Sequence, residues 1–383
     1  MVSETNSYLT MVYNHTTYSL SKNDLRMVRS VPAGGNWQNI PLDIPSKRLE
    51  QIRRSGGRTT LYGRLSLSKP SYTITTYFNR PGNGTYIHPI HDRVISAREA
   101  ARFQSFPDNY VFFGSKASLC KQIGNAVPPL LAFAIARQIK KKTKTKNLLD
   151  LFCGAGGLSL GFSWAGYNIV AGNDNFKQAC DTYRTNHKNT LLIEGDVTNK
   201  DIHHKILETS KKKKVDIIVG GPPCQGFSHA GKRMINDPRN LLYKEFVNIV
   251  KKIRPKVFIM ENVEGILSIN RGRTYEEIKN NFKKLGYSVA GHKLHAVMFG
   301  IPQKRKRVMI IGTLQGDPES FFPKAIISNG QRYVTTKEAI GDLFDVQASE
   351  QDSPIRLKTK PFSLFQKFVR GFITPQEYLE VFS

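Results

Sequence analysis

Cys224 follows Gly220, Gly221, Pro222 and Pro223, and that is the setting in this chain best suited to covalent chemistry. Val215, Ile217, Ile218 and Val219 before it make a short apolar run, the pattern of a buried strand. The glycines end the strand, and the prolines stiffen the loop and disfavour helix before each of them. A thiolate held there, at the carboxyl end of a strand, is a candidate nucleophile. The competing reading is a buried structural cysteine, the usual fate of a free thiol. Glu261 ends the apolar run 257–260 on a neighbouring strand. A carboxyl in that crevice could protonate or hydrogen-bond a base edge, or simply be an exposed strand-end carboxylate. Arg305 and Arg307 lie two residues apart before a late strand, so alternation sets them on one face. Paired guanidiniums there hold a phosphate or a base carbonyl, or line a solvated edge.

A second group of residues points to a ligand carrying a nucleoside. Gly154, Gly156 and Gly157 lie between a strand and a helix. Glycines let a ligand approach the backbone there, and the helix amino end offers free N–H groups. The spacing departs from GxGxxG and no hydride-transfer constellation accompanies it, which argues against a dehydrogenase. Asp174, near the end of the second strand, suits a ribose hydroxyl pair, and Asp196, at the third, suits an adenine amine. Either acid alone reads as a cap or turn residue.

These residues require strand ends set side by side. Strands expected at 147–152, 167–171, 191–194, 215–219, 257–260 and 308–311 alternate with helices expected at 158–165, 176–186, 241–253 and 275–285. The alternation predicts a parallel, doubly wound α/β sheet with ligands at the carboxyl ends of its strands. Upstream, 58–65 and 71–78 are rich in β-branched and aromatic residues and read as strands, which predicts a small, basic, β-rich first portion. Ser96 with Glu99 predicts a boxed helix start, and Pro128 and Pro129 open another helix that runs to about 140. Residues 140–146 contain no apolar side chain and read as a charged linker. Helices are expected at 336–343, at 362–370 and from Pro375.

Lysine and arginine outnumber aspartate and glutamate 57 to 30, a net charge of +27, which favours a polyanionic partner over an acidic small molecule. A lysine-rich solvated surface is the alternative. Cys120, Cys153, Cys180 and Cys224 show no CxxC spacing, so neither a disulfide framework nor a metal site is expected, and a reducing cytoplasm is. No apolar run approaches a membrane span and no signal-peptide order opens the chain, so no membrane association is expected.

Eight segments together resemble the cytosine-C5 DNA methyltransferases: DLFCGAGGLSLGF (150–162), the acid of GNDN (172–175), GDV (195–197), GGPPCQGFS (220–228), ENV (261–263), QKRKR (303–307), ISAREAARFQSFPD (95–108) and QIGNAVPP (122–129). The order departs from most of the family, because the last two segments precede DLFCGAGG. The chain therefore looks circularly permuted, with 140–146 joining the usual end to the usual beginning. The resemblance implies a Rossmann-like methyltransferase sheet with a smaller β-rich target-recognition domain. Residues 1–92 and 326–383 would be parts of that small domain. Residues 93–139 would complete the catalytic domain, 147–325. The two chain ends would meet in the small domain.

The resemblance further implies a sequence-specific DNA (cytosine-5)-methyltransferase using S-adenosyl-L-methionine and no metal, the modification enzyme of a restriction–modification system. Cys224 would attack C6 of a flipped cytosine, Glu261 would bond the base, Arg305 would help hold it, and Arg307 would support the site. Phe152, Gly154, Gly156, Asp174, Asp196, Val197, Pro223 and Asn125 would bind the cofactor. Ser228, Lys232 and Arg233 on the loop after the nucleophile would contact phosphates, and Arg58, Arg64 and Arg80 could reach guanine edges but read first as phosphate-contacting or structural arginines. The expected partner is double-stranded DNA, with a cognate endonuclease linked in function rather than by contact, and the expected state is a monomer. A transfer-RNA cytosine-C5 methylase and a DNA-binding regulator with a degenerate methylase body are the alternatives.

Overall fold

Val257, Phe258, Ile259 and Met260 are all fully buried, as a strand covered by helices on both faces must be. Such runs alternate with amphipathic helices over much of the chain. The computed structural model describes residues 10–223, 242–328 and 331–382; Cys224, Ser228, Lys232 and Arg233 lie outside the described residues. The chain divides into two units. The split unit takes Met1–Asn125, Gly300–Arg305 and Ile326–Ser383, and the sheet unit takes Ala126–Phe299 and Lys306–Ala325.

In chain order the split unit begins with β1 (Thr10–Val12), α1 (Lys22–Ser30), α2 (Lys47–Ser55), β2 (Gly63–Arg64), β3 (Ser71–Tyr72), β4 (Thr85–Ile87), α3 (Ala97–Phe103) and α4 (Lys116–Asn125). The sheet unit follows with α5 (Pro129–Lys142), β5 (Asn147–Leu151), α6 (Gly157–Trp164), β6 (Asn168–Asp174), α7 (Lys177–Asn186), β7 (Leu191–Glu194) and α8 (Lys200–Lys212). It continues with β8 (Ile217–Gly220), α9 (Leu242–Ile253), β9 (Val257–Val263), α10 (Arg273–Lys284) and β10 (Ser288–His295). β11 (Gln303–Lys304) returns to the split unit, β12 (Lys306–Thr313) to the sheet, and α11 (Thr336–Ile340), β13 (Ile355–Leu357), α12 (Leu364–Val369) and α13 (Pro375–Glu380) close the split unit.

The central sheet has seven strands in the order β10-β12-β9-β8-β5-β6-β7. β5 to β9 are parallel, but β12 runs antiparallel to both β9 and β10. The sheet is therefore mixed, which corrects the all-parallel expectation. The connection from β10 to β12 carries no crossover helix, only the short excursion Gly300–Arg305, so the strand must return in the opposite sense. α9 buries Tyr243, Phe246, Ile249 and Val250 along one stripe, and Phe258 stacks on Phe282 with ring centroids 3.9 Å apart. α5 packs on α6, and Gly161 is required there because a Cβ would run into the Pro129 carbonyl.

Three further expectations change. The first portion is not β-rich. Its strands β2 and β3 span two residues each, while Ser21 and Ser46 cap α1 and α2. Residues 140–146 are not a free linker throughout: α5 runs to Lys142 and Thr145 is buried, while the elements they join both belong to the sheet unit. Of the segment 93–139, residues up to Asn125 fall in the split unit rather than with the sheet. Residues 116–142 pass a length and hydropathy test for a membrane span, but that stretch is 83% buried and is broken between α4 and α5.

Both ends of the described chain lie in the split unit, where β1 pairs antiparallel with β13. Fully buried charges bind it. Arg102 of α3 holds both oxygens of Asp108 at 2.8 and 2.7 Å and also pairs with Asp342. Arg370 reaches Asp342 at 3.4 Å and the Thr10 hydroxyl at 2.8 Å. Ser96 and Glu99 form the expected capping box at the start of α3.

Candidate active site

At the carboxyl end of β5 the chain turns through three residues in the left-handed region: Phe152 (φ 55°), Gly154 (φ 51°) and Gly156 (φ 86°). A Cβ on Gly154 would meet nothing within 4 Å, so the turn faces open space. The Gly154 N–H donates to Asp174 Oδ2 at 2.8 Å, and the Phe176 N–H donates to Oδ1 at 2.8 Å, which fixes the carboxylate at the end of β6. Asp196, after β7, is exposed and accepts from the Thr198 N–H at 2.8 Å and its hydroxyl at 2.7 Å. Those bonds hold its carboxyl below the ordinary range. Phe152 is half-buried against the core, Val197 is buried within it, and Pro223 is half-buried at the last described position before Cys224. An open glycine turn, a half-buried ring and two acids at successive strand ends fit a nucleoside-bearing cofactor.

Beneath the turn, Asp150 of β5 is fully buried and accepts from the Ser159 N–H at 3.2 Å and its hydroxyl at 2.7 Å. The Ser159 hydroxyl also meets the Tyr183 hydroxyl at 2.7 Å. Burial raises the Asp150 pKa to about 7, despite the two bonds from Ser159. Sequence reasoning quoted Asp150 only as part of a motif, and Tyr183 not at all.

β8 leads into the second cluster. A Cβ on Gly220 would strike the Leu151 carbonyl, so that position needs glycine, and one on Gly221 would sit 2.8 Å from Glu261 Oε2 and push that carboxylate aside. Glu261 lies on β9 beside β12 and pairs with Arg307 Nε at 2.6 Å, each side chain only 11% exposed. Burial lowers the Arg307 pKa, and Glu261 offsets that. Asn262 is buried and accepts from the Val263 N–H at 2.9 Å.

Arg305 and Arg307 do not share a face, which corrects the alternation argument. The Arg305 N–H bonds back to the Gln303 carbonyl at 2.8 Å, a tight turn that breaks the strand between β11 and β12. Arg305 belongs to the split unit and is 1% exposed, donating to the Ile74 carbonyl at 2.9 Å and the Gly124 carbonyl at 2.7 Å. Gln303 was missed: its amide accepts from the Ile74 N–H at 2.8 Å and donates to the Phe103 carbonyl and Gln104 Oε1, both at 2.9 Å. Its signal was present, since QKRKR and the 71–78 run were both singled out.

Arg64 is not placed to read a base. It is buried, and its guanidinium is taken up by the carbonyls of Val31, His88, His91 and Val28 and by Asp92 at 2.8 Å. Arg58 and Arg80 are exposed, and Asn125 is exposed at the end of α4.

The sheet order, the glycine turn and the acids at the strand ends define a Rossmann-like α/β fold of methyltransferase type. The chain belongs to the C-5 cytosine-specific DNA methylase family, whose model its residues 3–141 and 146–375 match. It is similar to the Type II methyltransferase M1.HphI of Haemophilus parahaemolyticus, 42% identical over 205 residues covering 53% of this chain and 54% of that protein. It is also similar to M.DdeI of Desulfomicrobium norvegicum, 40% identical over 224 residues covering 56% and 53%. The chain thus spans about half the length of these relatives. Among solved structures, S. pombe Dnmt2 methyltransferase aligns with a TM-score of 0.39 at 22% identity over 49% of this chain and 57% of that one.

Proposed function

We propose that this chain is a sequence-specific DNA (cytosine-5)-methyltransferase acting on double-stranded DNA, the modification enzyme of a restriction–modification system. The observation that carries the reading is the Glu261–Arg307 pair, held against the Gly221 backbone directly upstream of Cys224. Glu261 thus stands on the strand that neighbours β8, the strand leading toward Cys224.

S-adenosyl-L-methionine supplies an electrophilic methyl group. Phe152 would stack on its adenine, Asp196 would accept from the adenine amine, Asp174 would bind the ribose, and Gly154 and Gly156 would leave room for the remainder. Val197 and Pro223 would add contacts from the same unit, and Asn125 keeps the cofactor role that the family implies. The target cytosine is flipped from the duplex. The Cys224 thiolate adds to C6 while Glu261 bonds N3 and the exocyclic amine, drawing electrons toward C5. After C5 is methylated its proton leaves to a base, and the C6–S bond breaks to restore the aromatic ring. Arg307 orients Glu261, Arg305 keeps the role at the base that the family implies, and Ser228, Lys232, Arg233, Arg58 and Arg80 are the proposed DNA contacts. The two family-matched segments part at 142–145, inside the lysine-rich stretch, which supports a circular permutation.

Covalent trapping tests the reading. Wild type and Cys224→Ser are incubated with S-adenosylmethionine and mixed-sequence duplex DNA containing 5-fluorocytosine. A denaturant-stable adduct in wild type alone is expected. An adduct on substituted transfer RNA but not on DNA would replace the reading with the RNA methylase. Binding without any adduct would replace it with a regulator.

A further inference from the structure

The helices of a doubly wound sheet run against the strands, so their carboxyl ends gather at the strands' amino ends, opposite the candidate active site. In the sheet unit that edge is basic at the ends of α5, α8, α9 and α10, whereas α6 has no basic residue in its last turn and Arg184 of α7 pairs with Asp181 and Glu194. α5 ends in Lys140, Lys141 and Lys142, α8 in Lys211 and Lys212, α9 in Lys251 and Lys252, and α10 in Lys283 and Lys284. Cations at helix carboxyl ends offset the macrodipole, and that accounts for some of them. It does not account for Lys144, Lys146, Lys213, Lys214, Arg254 and Lys256, which lie beyond the helix ends in the connections and are all exposed.

Hydrogen bonds, most of them between backbone and side chain, string these segments together. Asn147 Nδ2 donates to the Lys213 carbonyl at 2.9 Å, and the Lys146 N–H donates to Asp216 Oδ1 at 2.9 Å. The Lys256 N–H donates to the Asp216 carbonyl at 2.9 Å, and Arg254 bonds the Leu285 carbonyl. Asp216 is the only acid within 137–149, 209–218, 250–258 and 281–290, and its carboxylate is occupied by the N–H groups of Lys146 and Asn147. Of the nearby acids, Asp317 caps its own turn and Glu319 pairs with His292. Among the described residues of this unit, the lysine ion pairs involve Lys279, Lys293 and Lys306, none of them on this edge.

We propose that this edge is a second, sequence-independent binding surface for duplex DNA, separate from the candidate active site. From β5 through β8, β9 and β12 to β10 it spans roughly 19 Å at about 4.8 Å per strand. That is enough to reach the phosphates on both sides of a major groove about 12 Å wide. The edge exposes no large aromatic side chain, so it offers no platform for unpaired bases, and its chemistry is that of phosphate contact alone. A protein with such an edge holds one duplex at its active site and another behind it.

The test uses a variant carrying Lys142→Gln, Lys146→Gln, Lys213→Gln, Lys252→Gln and Lys284→Gln, and a companion with arginine at the same positions. Bead-bound duplex of mixed sequence is loaded with protein and then offered a fluorescent duplex of unrelated sequence. Wild type and the arginine variant are expected to recruit the second duplex, and the glutamine variant to lose most of that recruitment with unchanged melting. Its log–log salt slope for DNA binding should fall by about 0.9 for every substituted lysine that contacts a phosphate. Equal recruitment by the glutamine variant would overturn the proposal, as would preferential recruitment of duplex RNA. Cys224→Ser should recruit like wild type, so this result stands apart from the trapping experiment.

Discussion

Arg102 and Phe258 lie deep in the two units and are equally sealed from water, yet they hold their surroundings by opposite means. Arg102 joins α3 to Asp108 and Asp342, and through Asp342 to Arg370, so stretches remote in sequence meet through directional charge. Phe258 joins β9 to α9 and α10 through the rings of Phe246 and Phe282, and apolar packing suffices. The sheet unit is nearly continuous in sequence, and its register follows from strand pairing and the alternating helices. The split unit is assembled from three pieces, two of them at opposite ends of the chain, and apolar contact alone would define their register poorly. Buried charge in the sheet unit is instead concentrated at the candidate active site, in Asp150 and the Glu261–Arg307 pair.

The largest expected effect separates chemistry from scaffold. Glu261→Gln should lower kcat by about 10²–10⁴. Methyl transfer to DNA from labelled cofactor would read this, and a loss under tenfold would remove Glu261 from the chemistry. Next, Asp342→Ala should cost about 3–5 kcal/mol in urea unfolding, because it strips Arg102 and Arg370 of a buried partner. Hydrogen exchange should show the loss in the split unit while β5, β8 and β9 stay protected, and equal loosening of both units would break the comparison.

Asp150→Asn probes a buried acid whose hydrogen bonds do not offset its burial. Its folded pKa of about 7 lies above the ordinary 3.8, so the folded state holds a proton that the unfolded state has released between those values. The contribution is present below about pH 4 and is lost as pH rises through 7, an effect of a few kcal/mol at most. Melting temperatures from pH 4 to 8 should fall more steeply for wild type than for the variant, and parallel curves would sink the assignment. The smallest effect, about 0.5–1.5 kcal/mol, is expected for Ile259→Val in the apolar core, read by urea titration.

The strands and helices of the sheet unit were readable because their apolar runs and amphipathic stripes are dictated by burial within that unit. α1 and α2 went unread although Ser21, Ser46 and the left-handed Gly56 mark their ends, because their flanks are charged and their apolar stripes short. β3 and β11 are two residues each and are joined by Ser71 pairing with Gln303; both segments stood out in the sequence, but no local pattern announces that they pair. At the site, the roles proposed for Asp174 and Asp196 came from the family resemblance, whereas the glycine turn and the strand-end positions of both acids were legible from the alternation of strands and helices. The turn at Arg305 was not, since it depends on the carbonyls of Ile74 and Gly124. Arg64 stayed open between phosphate contact and a structural role for the same reason: arginine type does not reveal a cage of carbonyls around it.

The pairing of β1 with β13 has a consequence for synthesis. A ribosome delivers Thr10 early and Ile355 late, with the whole of the sheet unit between them. At about 5–20 residues per second, the nascent amino-terminal piece waits on the order of 10–40 s for its partner. During that interval the sheet can fold, while Arg102 still lacks Asp342 and α3 lacks the segment that covers it. The amino-terminal piece is therefore the part of the newborn chain most in need of a chaperone.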